Sequence, residues 1–137
     1  MSAIELAQSL IKIKSISPKD EGCFDLVEAE LTPLGFETKR IPELNCETLL
    51  AKFGNSGKVF CFLGHTDIVP SGPEDEWTSP PFEANIINAE LIGRGAADMK
   101  GSVAVFIQSV KKFLTANPNP SFQIWVMLTS NEEGEPE

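Results

Sequence analysis

The sequence predicts an α/β fold of three α/β/α layers, with helices on both faces of a mixed, largely parallel sheet. A strand, a helix and a second strand follow one another over residues 90–130, the order of a right-handed crossover between parallel strands. Residues 59–63 form a continuous apolar run, which is typical of a strand covered on both faces. Helical periodicity in three segments supplies candidates for the outer layers.

The N-terminal elements are predicted from capping and turn signals. Ser2 and Glu5 have the spacing of a capping box, and apolar residues at helical intervals predict a helix over 3–14. A second helix is predicted from about Asp20 to the residue before Gly35, because glycine is common just past a helix C-terminus. Residues 36–41 and 48–53 are predicted as short strands, and 54–57 as a turn.

The second half of the chain alternates between strand and helix signals. Residues 82–88 and 89–95 are predicted as a hairpin around Asn88. Apolar residues then recur at the i, i+3, i+4 and i+7 positions of an amphipathic helix over 99–116, which NPNP at 117–120 ends. Residues 122–130 are predicted as a buried strand. The chain shows no internal repeat or linker, so residues 1–137 are interpreted as part of one domain.

Composition limits the possible environments and partners. The 137 residues carry a net charge of −9, which repels phosphate backbones and argues against nucleic-acid binding. No apolar run approaches a membrane span, and the N-terminus lacks the pattern of a secretory signal, so no membrane association and a cytoplasmic location are expected. Three cysteines without paired spacing are interpreted as reduced packing residues.

Chemically reactive side chains cluster where the predicted strands end. His65 and Asp67 follow the strand at 59–63, Glu132 and Glu133 follow the strand at 122–130, and Asp98 precedes the connecting helix. Ligands of such sheets gather beyond the carboxyl ends of the strands, so these five side chains are expected to converge. Imidazole and carboxylate ligands suit zinc, and one aspartate can bridge two ions.

Each motif has an ordinary structural explanation when it stands alone. Asp98 could be a helix N-cap, His65 a hydrogen-bonded structural residue, and the paired glutamates an acidic surface loop. A phosphate-binding loop at GRGAADMKG, residues 93–101, is excluded because Asp98 occupies the third glycine position and the spacing differs from a P-loop. The convergence favours a metal site, while an acidic α/β domain with no site remains the alternative.

Three motifs together resemble a known enzyme family. FLGHTDIVPSG, GRGAADMKG and TSNEEG resemble the di-zinc aminoacylase and carboxypeptidase family, most closely its succinyl-diaminopimelate desuccinylase branch. The resemblance covers the whole chain and implies that it is the N-terminal portion of a zinc-peptidase-like catalytic domain. By this resemblance His65 ligates one zinc, Asp98 bridges both and Glu133 ligates the other. Glu132 is the implied general base, and Asp67 the residue that supports His65.

Two finer features also follow from the resemblance. The peptide bond between Asp98 and Met99 is expected to be cis, as is typical of the family. Asn131 occupies a position where the family commonly has aspartate before the two glutamates, so a change in site electrostatics rather than loss of the site is expected.

The implied reaction is the metal-dependent hydrolysis of N-succinyl-LL-2,6-diaminopimelate, a small-molecule substrate, to succinate and LL-2,6-diaminopimelate in lysine biosynthesis. Two Zn²⁺ ions, with Co²⁺ as a possible substitute, and a homodimer of the intact enzyme are implied as well. The alternatives are a related deacylase, such as an acetylornithine deacetylase or an aminoacylase, and a non-catalytic metal-binding remnant.

The family pattern needs two further ligands that this sequence lacks. They are a carboxylate some way after the paired glutamates and a second histidine, and His65 is the single histidine here. We therefore expect the chain to be a fragment, from a truncated gene, a partial reading frame or a recombinant piece. The inserted dimerisation domain and the C-terminal part of the catalytic domain are expected to be missing. Zinc occupancy is expected to be weak or partial, and the 137 residues alone inactive.

Overall fold

A computed structural model describes residues 1–134 of the protein. The α-helices in this range are α1 Ala3–Ile11, α2 Cys23–Leu31 and α3 Gly101–Ala116. The strands are β1 Glu37–Glu43, β2 Cys46–Phe53, β3 Val59–His65, β4 Ile86–Ile87, β5 Glu90–Leu91 and β6 Gln123–Thr129. Every predicted element is therefore present, with differences of a few residues at the ends.

The main sheet is mixed, as predicted, with the strand order β1-β2-β6-β3, but within residues 1–134 it is not largely parallel. Parallel pairing is confined to β3 and β6 among the described strands, while β1 with β2 and β2 with β6 are antiparallel. The connections explain this division. Leu44 and Asn45 join β1 to β2, and so short a turn permits only antiparallel neighbours. The parallel crossover runs from β3 to β6 through α3. The prediction that it starts from the strand near residue 90 was wrong, because β5 pairs with β4 in a separate two-stranded sheet.

All three helices of the described range pack on one face of this sheet. Alternate residues of β6 point into the helical core and are buried, namely Ile124, Val126 and Leu128. The intervening Trp125 and Met127 face the other side and are only half-buried. Residues 1–134 thus form two of the three predicted layers. The α/β class is confirmed, and the second sheet face has no helix over it within this range.

The prediction that residues 59–63 are covered on both faces was wrong. Leu63 is 70% exposed, Phe60 58% and Val59 45%. The reason is that β3 lies at the edge of the sheet in residues 1–134 and receives only α3 on one side. Phe62 makes the main contact there and stacks on Phe106 of α3 with 4.2 Å between ring centroids. An apolar run therefore indicated the strand correctly but not its neighbours.

Side-chain hydrogen bonds to backbone amides determine where the first two helices begin. The capping box of α1 is confirmed, with the Glu5 amide donating to Ser2 Oγ at 3.2 Å and the Ser2 amide to Glu5 Oε2 at 2.7 Å. Helix α2 begins at Cys23 rather than Asp20. Asp20 lies ahead of the helix because its carboxylate accepts the backbone amides of Gly22 and Phe24. The three cysteines are free, as predicted, but the interpretation as packing residues was wrong for Cys61, which is exposed. No helix within residues 1–134 is both long and apolar enough to cross a membrane.

Candidate metal centre

The parallel pair β3 and β6 brings the two halves of the site to one edge of the sheet. His65, the last residue of β3, is paired with Thr129, the last residue of β6. The amide of Thr66 donates to the carbonyl of Thr129 at 3.1 Å and extends this ladder by one step. Residues 131–134, which follow β6, therefore lie beside His65, and the predicted convergence of the strand ends is present in the structure.

His65 is held with one ring nitrogen towards the protein and the other towards the acidic side chains. It is 4% exposed, and Nδ1 lies 3.0 Å from the backbone carbonyl oxygen of Asp67. A carbonyl can only accept, so Nδ1 carries a proton. Nε2 lies 3.1 Å from Asp98 Oδ1 and 3.7 Å from Glu132 Oε2. The backbone of Asp67 thus aims Nε2, the atom available to a metal, into the cluster.

Four of the predicted residues surround one small volume. One donor atom each from His65, Glu132 and Glu133 lies within 4.8 Å of the others, a spacing that could hold one metal ion. Asp98 stands outside that closest set but contacts the same Nε2 of His65. The side chains of Asp98 and Glu132 are 74% and 58% exposed, so the cluster is buried on the histidine side and open on the carboxylate side.

Asp67 has a different role from the one expected of its carboxylate. Its carboxylate Oδ1 is 3.5 Å from His65 Nδ1, farther than the backbone carbonyl that accepts the histidine proton. The carboxylate instead accepts the amide of Glu132 at 3.1 Å and the amide of Glu133 at 3.0 Å. It also accepts the hydroxyl of Ser17. Asp67 is fully buried, so it supports His65 through its backbone and the acidic turn through its side chain.

The loop before α3 presents Asp98 in a non-helical conformation. Asp98 and Met99 have φ values of −133° and −137°, outside the helical range. The bond between them is cis, as predicted from the family resemblance. The alternative that Asp98 is the N-cap of this helix was wrong, since α3 starts after Lys100 without a side-chain cap. The carboxylate of Asp98 is therefore free to face His65.

Lys100 anchors this loop to the first helix. Its side chain is fully buried, and Nζ donates to the carbonyl oxygens of Leu10 at 2.8 Å and Ile13 at 2.7 Å. Leu10 lies in the last turn of α1 and Ile13 just beyond it, and their carbonyls also accept the backbone amides of Ile13 and Ser15. Burial lowers the pKa of Lys100 from its usual value. The residue two positions after Asp98 is thus tied to the helix that packs beneath it.

Negative charge accumulates at the centre. Burial, followed by the carboxylates of Asp98 and Glu132, raises the pKa of Glu133 above its usual value. Within residues 1–134, His65 is the only basic side chain that forms an ion pair with Asp98 or Glu132. Carboxylates gathered around one imidazole without further cations provide the donor chemistry that binds Zn²⁺ in proteins. The residues present therefore fit a zinc site.

Two residues of the centre were missed by the sequence reasoning. Ser17 was not singled out, and nothing in its local pattern marks a hydroxyl that contacts a buried carboxylate. Lys100 did carry a signal, because it lies three and four positions before Val103 and Ala104 on the apolar face of the predicted helix. A lysine on such a face must find buried acceptors.

Comparisons with known proteins agree with this geometry. Residues 61–136 match the model of peptidase family M20/M25/M40. A succinyl-diaminopimelate desuccinylase of Halorhodospira halophila is 48% identical over 135 residues, which are 98% of this chain and 36% of that protein. The desuccinylase of Aromatoleum aromaticum is 46% identical over 129 residues, covering 94% of this chain and 34% of the relative. The chain thus spans about a third of the length of these relatives.

Solved structures show the same fold. Human carnosine dipeptidase 1 superposes with a TM-score of 0.81 at 24% identity, over 92% of this chain and 31% of the dipeptidase. An M20 family metallo-carboxypeptidase of Sulfolobus solfataricus gives a TM-score of 0.78 at 22% identity, over 93% and 30% of the two chains. With the matched family model covering more than half of its residues, the chain belongs to peptidase family M20/M25/M40.

Proposed function

We propose that the protein containing these residues is a metal-dependent amide hydrolase that converts N-succinyl-LL-2,6-diaminopimelate to succinate and LL-2,6-diaminopimelate. The observation that carries the proposal is the convergence of His65 Nε2 with the carboxylates of Asp98, Glu132 and Glu133 beyond the ends of two parallel strands. The substrate is proposed from the relatives of about 46–48% identity, which are named succinyl-diaminopimelate desuccinylases. A homodimer acting in the cytoplasm is part of the same proposal.

The metal of the proposed enzyme is Zn²⁺, with Co²⁺ as a substitute. His65 and Asp98 would hold one ion, and Asp98 and Glu133 the other. When bound, the two ions supply Lewis-acid activation of water and of the amide carbonyl. Catalytic zinc sites have three protein ligands, so each ion needs one more than this chain offers. Residues 1–137 are therefore taken as the N-terminal portion of the catalytic domain, which alone binds zinc weakly and turns over no substrate.

Glu132 is the proposed general acid and base. Its carboxylate lies at the open side of the cluster, where it can reach both an attacking water and the leaving nitrogen. It would take a proton from the water as the oxygen attacks the amide carbonyl, and then give that proton to the departing amine. The bond from its amide to Asp67 fixes the backbone, so that proton transfer needs only a side-chain movement.

Substitution of Glu132 tests the proposal directly in the full-length protein. Glu132→Gln removes the proton acceptor while keeping the shape, so kcat should fall by roughly 10²- to 10⁴-fold with zinc content unchanged. Glu90→Gln in the exposed strand β5 is the matched control and should leave both quantities unchanged. Turnover of Glu132→Gln near the unsubstituted rate would refute the assignment. N-succinyl and N-acetyl substrates assayed side by side distinguish a desuccinylase from a related deacylase.

A further inference from the structure

A short N-terminal segment, residues 15–18, lies against the strand end that carries His65 and Asp67. The amide of Ile68 donates to the carbonyl of Ser15 at 3.0 Å, and the amide of Ser17 donates to the carbonyl of Ile68 at 3.1 Å. The hydroxyl of Ser15 donates to the carbonyl of Thr66 at 2.8 Å. The segment therefore adds a short parallel bridge that fixes the backbone on both sides of Asp67.

The same segment contacts the acidic turn after β6. The hydroxyl of Ser130 donates to the carbonyl of Pro18 at 2.8 Å. At the other end of the turn, Gly134 lies beside Ser17, since a Cβ placed on Gly134 would be 3.4 Å from Ser17 Cβ. Residues 15–18 thus touch both strand ends that meet at the metal centre, although they contribute no ligand to it.

Ser17 reaches the centre through one buried carboxylate. Its hydroxyl donates to Asp67 Oδ2, the oxygen that also accepts the amide of Glu133, while Oδ1 accepts the amide of Glu132. A carboxylate held by two backbone amides can still rotate about its side-chain bonds. A third donor on Oδ2 further restrains the orientation of the carboxylate, and with it the two amides that it holds.

We propose that Ser17 is a positioning residue of the metal centre, which acts through Asp67 to hold the backbone of Glu132 and Glu133 in register with His65. The part of this proposal that concerns metal binding rests on the proposed function. The part that concerns the order of the acidic turn rests only on the contacts among Ser17, Asp67 and the two amides.

The test compares Ser17→Ala with Ser109→Ala in the full-length protein. Ser109 is an exposed serine of α3 whose hydroxyl donates within its own helix, so its substitution controls for loss of a hydroxyl. Zn²⁺ dissociation constants measured by competition with a chelator should rise about tenfold for Ser17→Ala, as for other residues that orient metal ligands, and not for Ser109→Ala. Equal affinity of the two variants would overturn the proposal.

A double-mutant cycle separates action through Asp67 from a general loss of structure. Asp67→Ala removes both acceptor oxygens, so that Ser17 can no longer act through them. If Ser17 acts through Asp67, adding Ser17→Ala to Asp67→Ala should cause no further loss of Zn²⁺ affinity. Losses that simply add would show an independent structural effect and contradict the proposal.

Amide hydrogen exchange provides a readout that does not depend on metal or substrate. Ser17→Ala should increase exchange at the amides of Glu132 and Glu133 while leaving those in the middle of β6 protected. If the protein binds no zinc, the proposed function fails, but this exchange pattern still decides the role of Ser17. Unchanged exchange at both amides would overturn that role even in an active enzyme.

Discussion

Replacement of Lys100 by methionine is the most direct test of how the Asp98 loop is anchored. The side chain of Lys100 is fully buried, and its ammonium donates to the carbonyls of Leu10 and Ile13 at 2.8 and 2.7 Å. Methionine has nearly the same length and fills the same apolar path, but it cannot donate. Lys100→Met therefore removes both bonds and leaves the carbonyls of Leu10 and Ile13 with only their backbone amide partners.

The magnitude follows from two opposing effects. A buried hydrogen bond contributes about 0.5–3 kcal/mol, with bonds to charged groups at the upper end, so loss of the two bonds would cost roughly 1–6 kcal/mol. The lowered pKa of Lys100, caused by burial, shows that the ammonium itself is unfavourable to desolvate. Methionine removes that penalty and offsets part of the loss. We expect a net decrease of about 2 kcal/mol in the free energy of unfolding, towards the lower end of the range.

Urea unfolding followed by circular dichroism measures this change, with Lys112→Met as the control. Lys112 is an exposed lysine of the same helix, and its substitution should alter the free energy of unfolding by less than about 0.5 kcal/mol. Because Lys100 lies two residues after Asp98, Zn²⁺ affinity should fall in Lys100→Met and not in Lys112→Met. A Lys100→Met protein as stable as the control would show that the desolvation penalty cancels the two bonds, and would refute the anchoring argument.

Two further predictions concern buried contacts near the site. Burial raises the pKa of the Cys23 thiol, so less of the reactive thiolate is present at pH 8. Iodoacetamide should therefore label the exposed Cys61 in the folded protein and should label Cys23 only after unfolding. Peptide mass spectrometry measures the labelling of each cysteine. Labelling of both at one rate would contradict the buried position. Gly95→Ala and Gly72→Ala both place alanine at positive φ, +81° and +70°, but only the Gly95 Cβ would meet another atom, Ile68 Cγ2 at 2.5 Å. Gly95→Ala should therefore cost about 1–3 kcal/mol more in thermal unfolding, and equal costs would exclude the clash.

The convergence of the site was predictable because it depends on few facts about the chain. A histidine at the end of one strand and a glutamate pair at the end of another meet whenever the two strands are parallel neighbours, and the helix between them implied that arrangement. The elements themselves follow from local signals, such as the capping box at Ser2 and Glu5. Both inferences use short-range patterns and one topological rule.

The contacts that fix the site were not predictable, because they join segments far apart in sequence. Ser17 and Asp67 are separated by 50 residues, and Lys100 lies 90 residues from Leu10. No periodicity relates such positions. The exposure of Leu63 was missed for a similar reason. A continuous apolar run indicates that a strand is normally covered on both faces, but it does not identify the segments that cover it.

The metal centre has a buried side and an exposed side. In the proposed enzyme this difference separates the residues that hold the metal from those that select the acyl group. His65 and Asp67 are almost fully buried and are fixed by the paired ends of β3 and β6. Asp98 and Glu132 face outward, with 74% and 58% of their side chains exposed. Any further metal ligand must approach from this open side, and so must the substrate amide. In the proposed enzyme, the described residues would position the metal and the general base, and contacts that select the acyl group would come from segments that cover the open side. For this reason Ser17→Ala should change Zn²⁺ affinity and kcat while leaving the ratio of activities towards succinyl and acetyl substrates unchanged.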